Sequence, residues 1–216
     1  MTRPFVFCFV CGLFLIGLGC GSDPSTCTAE GPLPVLGQAK IEGKDTIPHQ
    51  IPAFLLLNQD SQAVTNATLD DRIYVADFFF TSCPTICPKV KRQMLRIYEK
   101  YEDDPRVALL SFTIDPKRDT VGKLRDYAQN LDVASDKWYF LTGEKDEIYE
   151  LADDYFSIVI EDETVPGGFD HSGRLILVDP QGRIRSFASD GTTAADTDKL
   201  MCDMDVLLQE LRPSNS

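Results

Sequence analysis

Two apolar runs set what this chain can fold into. Ile73–Phe80 (IYVADFFF) and Val107–Asp115 (VALLSFTID) are apolar, β-branched or aromatic at nearly every position, so each reads as a strand buried on both faces. Between them Val90, Met94, Ile97 and Tyr101 recur at steps of four, three and four, which is one face of a helix. Two doubly buried strands joined by a helix make a parallel crossover unit. The pattern repeats. Val121, Leu124, Ala128 and Leu131 mark a helix with Asp119 and Thr120 as caps, KWYFLTG a third strand, and Ile148, Leu151, Ala152 and Tyr155 a third helix. RLILVD and RIRSFA then flank PQG, a hairpin turn, and Leu200, Met204, Leu207, Leu208 and Leu211 mark a last helix. Parallel crossovers followed by a hairpin predict an α/β fold with a mixed central β-sheet flanked by helices.

The first twenty residues, MTRPFVFCFVCGLFLIGLGC, are a separate object: one positive charge at Arg3, an apolar run from Phe5 to Gly19, then Cys20. The run fits the core of an export signal and is short of the roughly 20 residues a membrane-spanning helix needs. Gly19 before Cys20 resembles a bacterial lipoprotein signal, in which the cysteine is lipidated; the leucine preferred three positions earlier is Gly17 here. Residues 1–20 are therefore read as a lipoprotein-type signal peptide with Cys20 as the lipidation site. The protein is expected to be exported and membrane-anchored through that lipid, on the periplasmic or extracytoplasmic face. Cys8 and Cys11 form a CxxC inside the apolar run and are discarded as a redox motif. Residues 21–45, small, polar and punctuated by Pro and Gly, read as a flexible tether, leaving 46–212 as the functional domain. With 21 Lys+Arg against 34 Asp+Glu, a formal net charge of −13, the chain has no basic face for nucleic acid and no polybasic patch for anionic lipid. It permits a cationic partner.

Chemistry concentrates in FFFTSCPTICPKVKRQM, Phe78–Met94. Cys83 and Cys87 have three residues between them and are each followed by proline, where the first strand passes into a helix. A cysteine at a helix N-terminus faces unpaired N–H groups and the positive end of the dipole, which favours thiolate, and Lys89, Lys91 and Arg92 push the same way. With the helix beginning near Pro84 or Thr85, Cys83 sits at its lip and Cys87 one turn in, both sulfurs on one side. Such a pair can form a disulfide looser than CxxC or converge on one ion. Only two histidines exist. His49, between prolines in DTIPHQIP, reads as an exposed linker residue. His171 immediately precedes the hairpin, and in the thioredoxin-like fold, whose element order this chain follows, that segment passes beside the redox cysteines. Two thiolates and an imidazole suit Cu(I), and Cu(II) with a further ligand, whereas structural zinc wants a fourth protein ligand that is not evident. On these residues alone His171 stands evenly between a ligand and a hydrogen-bonded turn histidine.

Four segments, FTSCPTICP, TIDPKRDT, KWYFLTG and DHSGRLILVDPQGRIR, resemble the successive motifs of the Sco/SenC family, over roughly Pro48 to Leu211. The resemblance implies a thioredoxin-like domain that binds one copper ion through Cys83, Cys87 and His171. It implies a metallochaperone that assists assembly of a copper site, that of cytochrome c oxidase, with an oxidase subunit as copper-receiving partner. An oxidising compartment adds a thiol reductant as a second partner. The alternative is an enzyme, a thiol-disulfide oxidoreductase reducing the cysteines of the copper-receiving protein, in which one of Cys83 and Cys87 attacks and the other resolves. Peroxide scavenging is a weaker third reading, because a paired CP–CP motif is not the pattern of such peroxidases. Asp115 and Asp119 fall in the DPxRDT motif and are expected to support the fold near the site. Asp170, beside His171, either orients it or forms a turn. The Gly-rich loop IEDETVPGGFDH reads as mobile and ordered by metal capture. Cys202 reads as a small buried hydrophobe and Cys27 as a tether residue, with a Cys27–Cys202 bridge as the minor alternative.

Overall fold

The computed structural model describes residue 27 and residues 31–212. Along the chain run β1 (Lys40–Glu42), β2 (Asp45–Ile47), β3 (Leu55–Leu57), β4 (Ala63–Thr65), β5 (Ile73–Phe79), α1 (Cys87–Tyr101), β6 (Val107–Thr113) and α2 (Val121–Leu131). They are followed by β7 (Trp138–Leu141), α3 (Lys145–Asp154), β8 (Val159–Glu161), β9 (Phe169–His171), β10 (Leu175–Val178), β11 (Ile184–Ala188) and α4 (Ala194–Glu210). The expected signal peptide, with Cys8, Cys11 and the lipidation site Cys20, lies outside the described residues. Among those residues no helix is long and apolar enough to cross a membrane.

Five strands form the central sheet in the order β11–β10–β5–β6–β7. β5 and β6 pair in parallel from Ile73 opposite Val107 to Phe79 opposite Thr113, and β7 continues in parallel. β10 is antiparallel to β5, and β11 to β10. Every residue of β5 and β6 is buried, which is why both read as unbroken apolar runs.

One polar cluster interrupts that core. Asp77 on β5 accepts a hydrogen bond from Ser111 on β6, and Lys91 Nζ on α1 lies 3.7 Å from Asp77 Oδ2 and 3.2 Å from Ser111 Oγ. The Lys91 ammonium also faces the rings of Phe79 at 4.4 Å and Trp138 at 4.7 Å. Lys91 is only 4% exposed, so it belongs to the core and not to the surface cations expected beside the cysteines. Burial pushes its pKa down, opposed by the Asp77 carboxylate.

The sequence-based tether differs from what is observed. Residues 40–47 form the exposed hairpin β1–β2. Leu36 N–H donates to the Ile184 carbonyl at 2.8 Å, and Arg185 donates to the Leu33 and Pro34 carbonyls, so a strap over residues 33–36 lies along β11. Arg185 is held there by Asp179 and Glu210. Gly37 follows at φ +104°, and a Cβ there would stand 2.6 Å from His49 Cβ. His49 itself is no exposed linker residue: its Nε2 is 2.8 Å from the Asp154 carbonyl and its ring packs, tilted, against Phe156 at 4.8 Å. Cys27 and Cys202 are joined by a disulfide, so the minor alternative is the one realised.

Two expectations follow. The disulfide joins residues 175 apart in sequence, so Cys202→Ser should lower unfolding stability by about 2–5 kcal/mol, read by urea denaturation. Lys91→Met leaves Asp77 buried without its counter-charge and should cost about 3–5 kcal/mol. Adding Asp77→Asn should restore much of that loss; a double variant as unstable as Lys91→Met would show that the ion pair is not the cause.

Candidate metal centre

The cysteines sit where β5 gives way to α1. The helix begins at Cys87 itself, with Ile86 as its N-cap and a proline in its first turn, and not at Pro84 or Thr85. Cys83 lies in the turn ahead of it, its N–H donating to the Phe80 carbonyl at 3.2 Å. That turn aims the Cys83 sulfur at the helix end: Cys87 N–H donates to it at 3.5 Å, and Thr85 Oγ1 is 3.6 Å away. The hydrogen bond from the Cys87 thiol, helped by His171 and by the N–H groups of Cys87 and Thr85, holds the Cys83 pKa down at about 3 against its partial burial. The same pairing with Cys83, together with burial, pushes the Cys87 thiol up. The two sulfurs thus share one proton, with Cys83 the thiolate and Cys87 the thiol. Local hydrogen bonds, rather than the flanking Lys89 and Arg92, produce this split.

His171 arrives from the far side of the sequence. It ends β9, pairs with Val159 of β8, and is 7% exposed. Its Nε2 lies 3.4 Å from Cys87 Sγ, its Nδ1 is buried without a partner, and the Phe80 ring meets it edge-on at 5.7 Å. The ligand atoms of Cys83, Cys87 and His171 all lie within 4.8 Å of one another. Metal–sulfur and metal–imidazole bonds of about 2.0–2.3 Å place trigonal donors some 3.5–4 Å apart, so these side chains can close on one ion with little movement. The set is soft, two sulfurs and a nitrogen, and suits copper. Among the described residues no fourth Cys, His or carboxylate joins the cluster, which disfavours a tetrahedral structural zinc site.

Asp119 is fully buried and accepts from Thr81 N–H at 2.9 Å, Thr81 Oγ1 at 2.5 Å and Thr113 Oγ1 at 2.6 Å. It therefore ties the turn before Cys83 to the end of β6. Asp115 pairs with Arg118, whose guanidinium donates to the Gly167 carbonyl at 3.2 Å and lies 5.6 Å from the Phe169 ring. That chain of contacts reaches the hairpin carrying His171. Asp170 does neither of the things expected of it. It is an exposed strand residue opposite Ile160, and alternation along β9 turns it away from the His171 side. The loop read as mobile is largely the β8–β9 hairpin, seated with Gly167 at φ +94° against the Phe80 ring, where a Cβ would fall 2.8 Å from Phe80 Cζ. Phe80, Thr81 and Phe169 carry no local sequence signal for the site: Thr81, two residues past the end of β5, pairs with a distant Asp, a contact no local pattern encodes.

Sheet order, cysteine pair and hairpin histidine together define a thioredoxin-like protein with a thiol–imidazole cluster able to hold a metal ion. The chain belongs to the SCO1/SenC family, whose model matches residues 43–203. Similar solved structures include a SCO1/SenC family lipoprotein from Bacillus anthracis, 27% identical, with a TM-score of 0.67 over 74% of this chain and 95% of that one. ScoI of Arabidopsis thaliana, solved with copper bound, is 26% identical at a TM-score of 0.59, over 71% and 97% of the two chains. BsSco, described as having a disulfide switch and as a member of the Sco family of cytochrome c oxidase assembly proteins, is 28% identical at 0.65, over 79% and 98%.

A shared proton has a kinetic signature. Alkylation of Cys83 by iodoacetamide, mapped by mass spectrometry, should be nearly flat from about pH 5 to about pH 8, where an ordinary thiol slows about tenfold per unit. In Cys87→Ala the slope should reappear.

Proposed function

We propose that this protein is a copper metallochaperone: it carries one copper ion on Cys83, Cys87 and His171 and passes it to a copper-receiving protein, a cytochrome c oxidase subunit. The observation that carries the reading is the convergence of three buried soft donors within 4.8 Å, one of them a histidine that thiol exchange does not require. Copper is cargo here, and a three-ligand site can release it to a recipient that offers further ligands. Cys83 arrives as thiolate, Cys87 loses its proton on binding, and His171 offers a neutral nitrogen. Asp119 and Asp115 hold the cysteine turn and the histidine hairpin in register, as supports that set ligand position do. The copper-bound relative supports the cargo, and the oxidase-assembly relative the destination.

The split protonation of the cysteines favours one second reading, reduction of a disulfide in the recipient. The Cys83 thiolate attacks one sulfur of that disulfide and expels the other as thiolate. Cys87, on losing its proton, then attacks Cys83, releasing the recipient's second thiol and leaving a Cys83–Cys87 disulfide. A thiol reductant restores the dithiol. For location, Arg3, the apolar run and Cys20 support export and anchoring by an N-terminal lipid, and the B. anthracis relative is a lipoprotein.

Titration of the reduced full chain with Cu(I) and with Cu(II), wild type against His171→Ala, tests the reading. One equivalent bound tightly, and weakened about a hundredfold or more in the variant, is expected. Binding indifferent to His171 in a protein that still reduces disulfides would make it an oxidoreductase instead.

A further inference from the structure

Beside the two sulfurs, with His171 outside its lining, a cleft of about 350 Å³ opens between α1 and α2. Its walls are Phe80, Leu95, Tyr127 and Leu131, and Cys83 and Cys87 line the same cleft. The charged groups facing it are Lys91 and Arg92. Lys91 is neutralised by Asp77 in the core. Arg92 is exposed and has no ion-pair partner among the described residues, although the chain as a whole carries −13. A lone guanidinium at the mouth of an apolar cleft, on an otherwise acidic protein, is complementary to a carboxylate next to an apolar side chain.

We propose that this cleft docks the segment of the recipient protein that bears its acceptor cysteine, with an apolar side chain seated between Leu95, Tyr127 and Leu131 and a neighbouring carboxylate on Arg92. The proposal rests on the reading that Cys83 and Cys87 hand something to a protein thiol, and it specifies the sequence chemistry of that partner. Seating the apolar residue in the cleft brings the adjacent cysteine beside Cys83 and Cys87, which line it, while His171 is not part of the lining. A basic residue beside the acceptor cysteine would meet Arg92 and be rejected.

The test uses three synthetic peptides of equal length, each carrying one cysteine as its mixed disulfide with 2-mercaptoethanol. One has Phe and Glu beside the cysteine, one Phe and Lys, one only Ser and Gly. Reduction by the full chain converts peptide disulfide and protein dithiol into peptide thiol, mercaptoethanol and a Cys83–Cys87 disulfide, so product release reports the rate. The Phe/Glu peptide should react about 10-fold faster than the Ser/Gly peptide, as burial of one apolar side chain allows, with Phe/Lys between them. Arg92→Glu should invert the Glu and Lys order, and Leu131→Asp should erase the benefit of Phe. Both variants should keep wild-type copper affinity and Cys83 alkylation by iodoacetamide. Equal rates for all three peptides, or variants that slow iodoacetamide as much as the peptides, would overturn the docking site. If no peptide is reduced, protection of Cys83 from iodoacetamide by the Phe/Glu peptide with Ser in place of Cys decides the matter. Protection upholds the cleft while rejecting exchange chemistry; its absence rejects the cleft whatever copper does.

Discussion

The parallel ladder between β5 and β6 is the constraint on which the rest depends. Its seven registered positions are buried throughout, so the end of β5 is fixed in space before any loop is considered. Ile114 N–H continues the ladder to the Phe79 carbonyl at 2.8 Å, and Asp119 binds both Thr113 and Thr81 just beyond it. The cysteine turn is thus bonded to the sheet on both sides of its origin. Placement of Cys83 and Cys87 follows from strand pairing, and their unequal protonation follows from placement.

The elements that sequence made legible are those whose burial leaves a local trace. Doubly buried β5 and β6, the amphipathic α1 and α2, and the β10–β11 turn at Pro180–Gly182 could be read from composition and spacing. The cysteine pair could be read for the same reason, since it interrupts a strand–helix junction. What escaped depends on contacts made far away in the chain. The 33–36 strap is a short LPVL stretch between Gly31-Pro32 and Gly37 and looks unstructured until Arg185 collects its carbonyls. β8 and β9 are three residues each and acidic between, so neither carries a period long enough to see. Lys91 looks like a surface cation because a buried ion pair is invisible without its partner, Asp77, fourteen positions away on another element.

Electrostatics divide the molecule. Its surface is acidic, yet around the sulfurs the working charges are a thiolate held by N–H groups and a guanidinium without a counter-ion. The buried Lys91–Asp77 pair is neutral as a unit, with the Lys91 ammonium set over the Phe79 and Trp138 rings. Such pairs are weak sources of stability but are costly to break, which ties α1 to β5 and β6 just beyond Cys87. Adjustment falls to the His171 hairpin, joined to the cysteine side through Phe80, Arg118 and Gly167.

The disulfide between Cys27 and Cys202 also settles how force travels. Any pull on the chain upstream of Cys27 enters the domain covalently at the middle of α4. The single hydrogen bond from Leu36 to Ile184 is shielded from that load, as a stitched seam spares the thread behind it. Neither the β8–β9 hairpin nor the turn at Cys83 lies on the direct line of tension, so the domain can be held by its N-terminus while its sulfurs and imidazole keep their spacing.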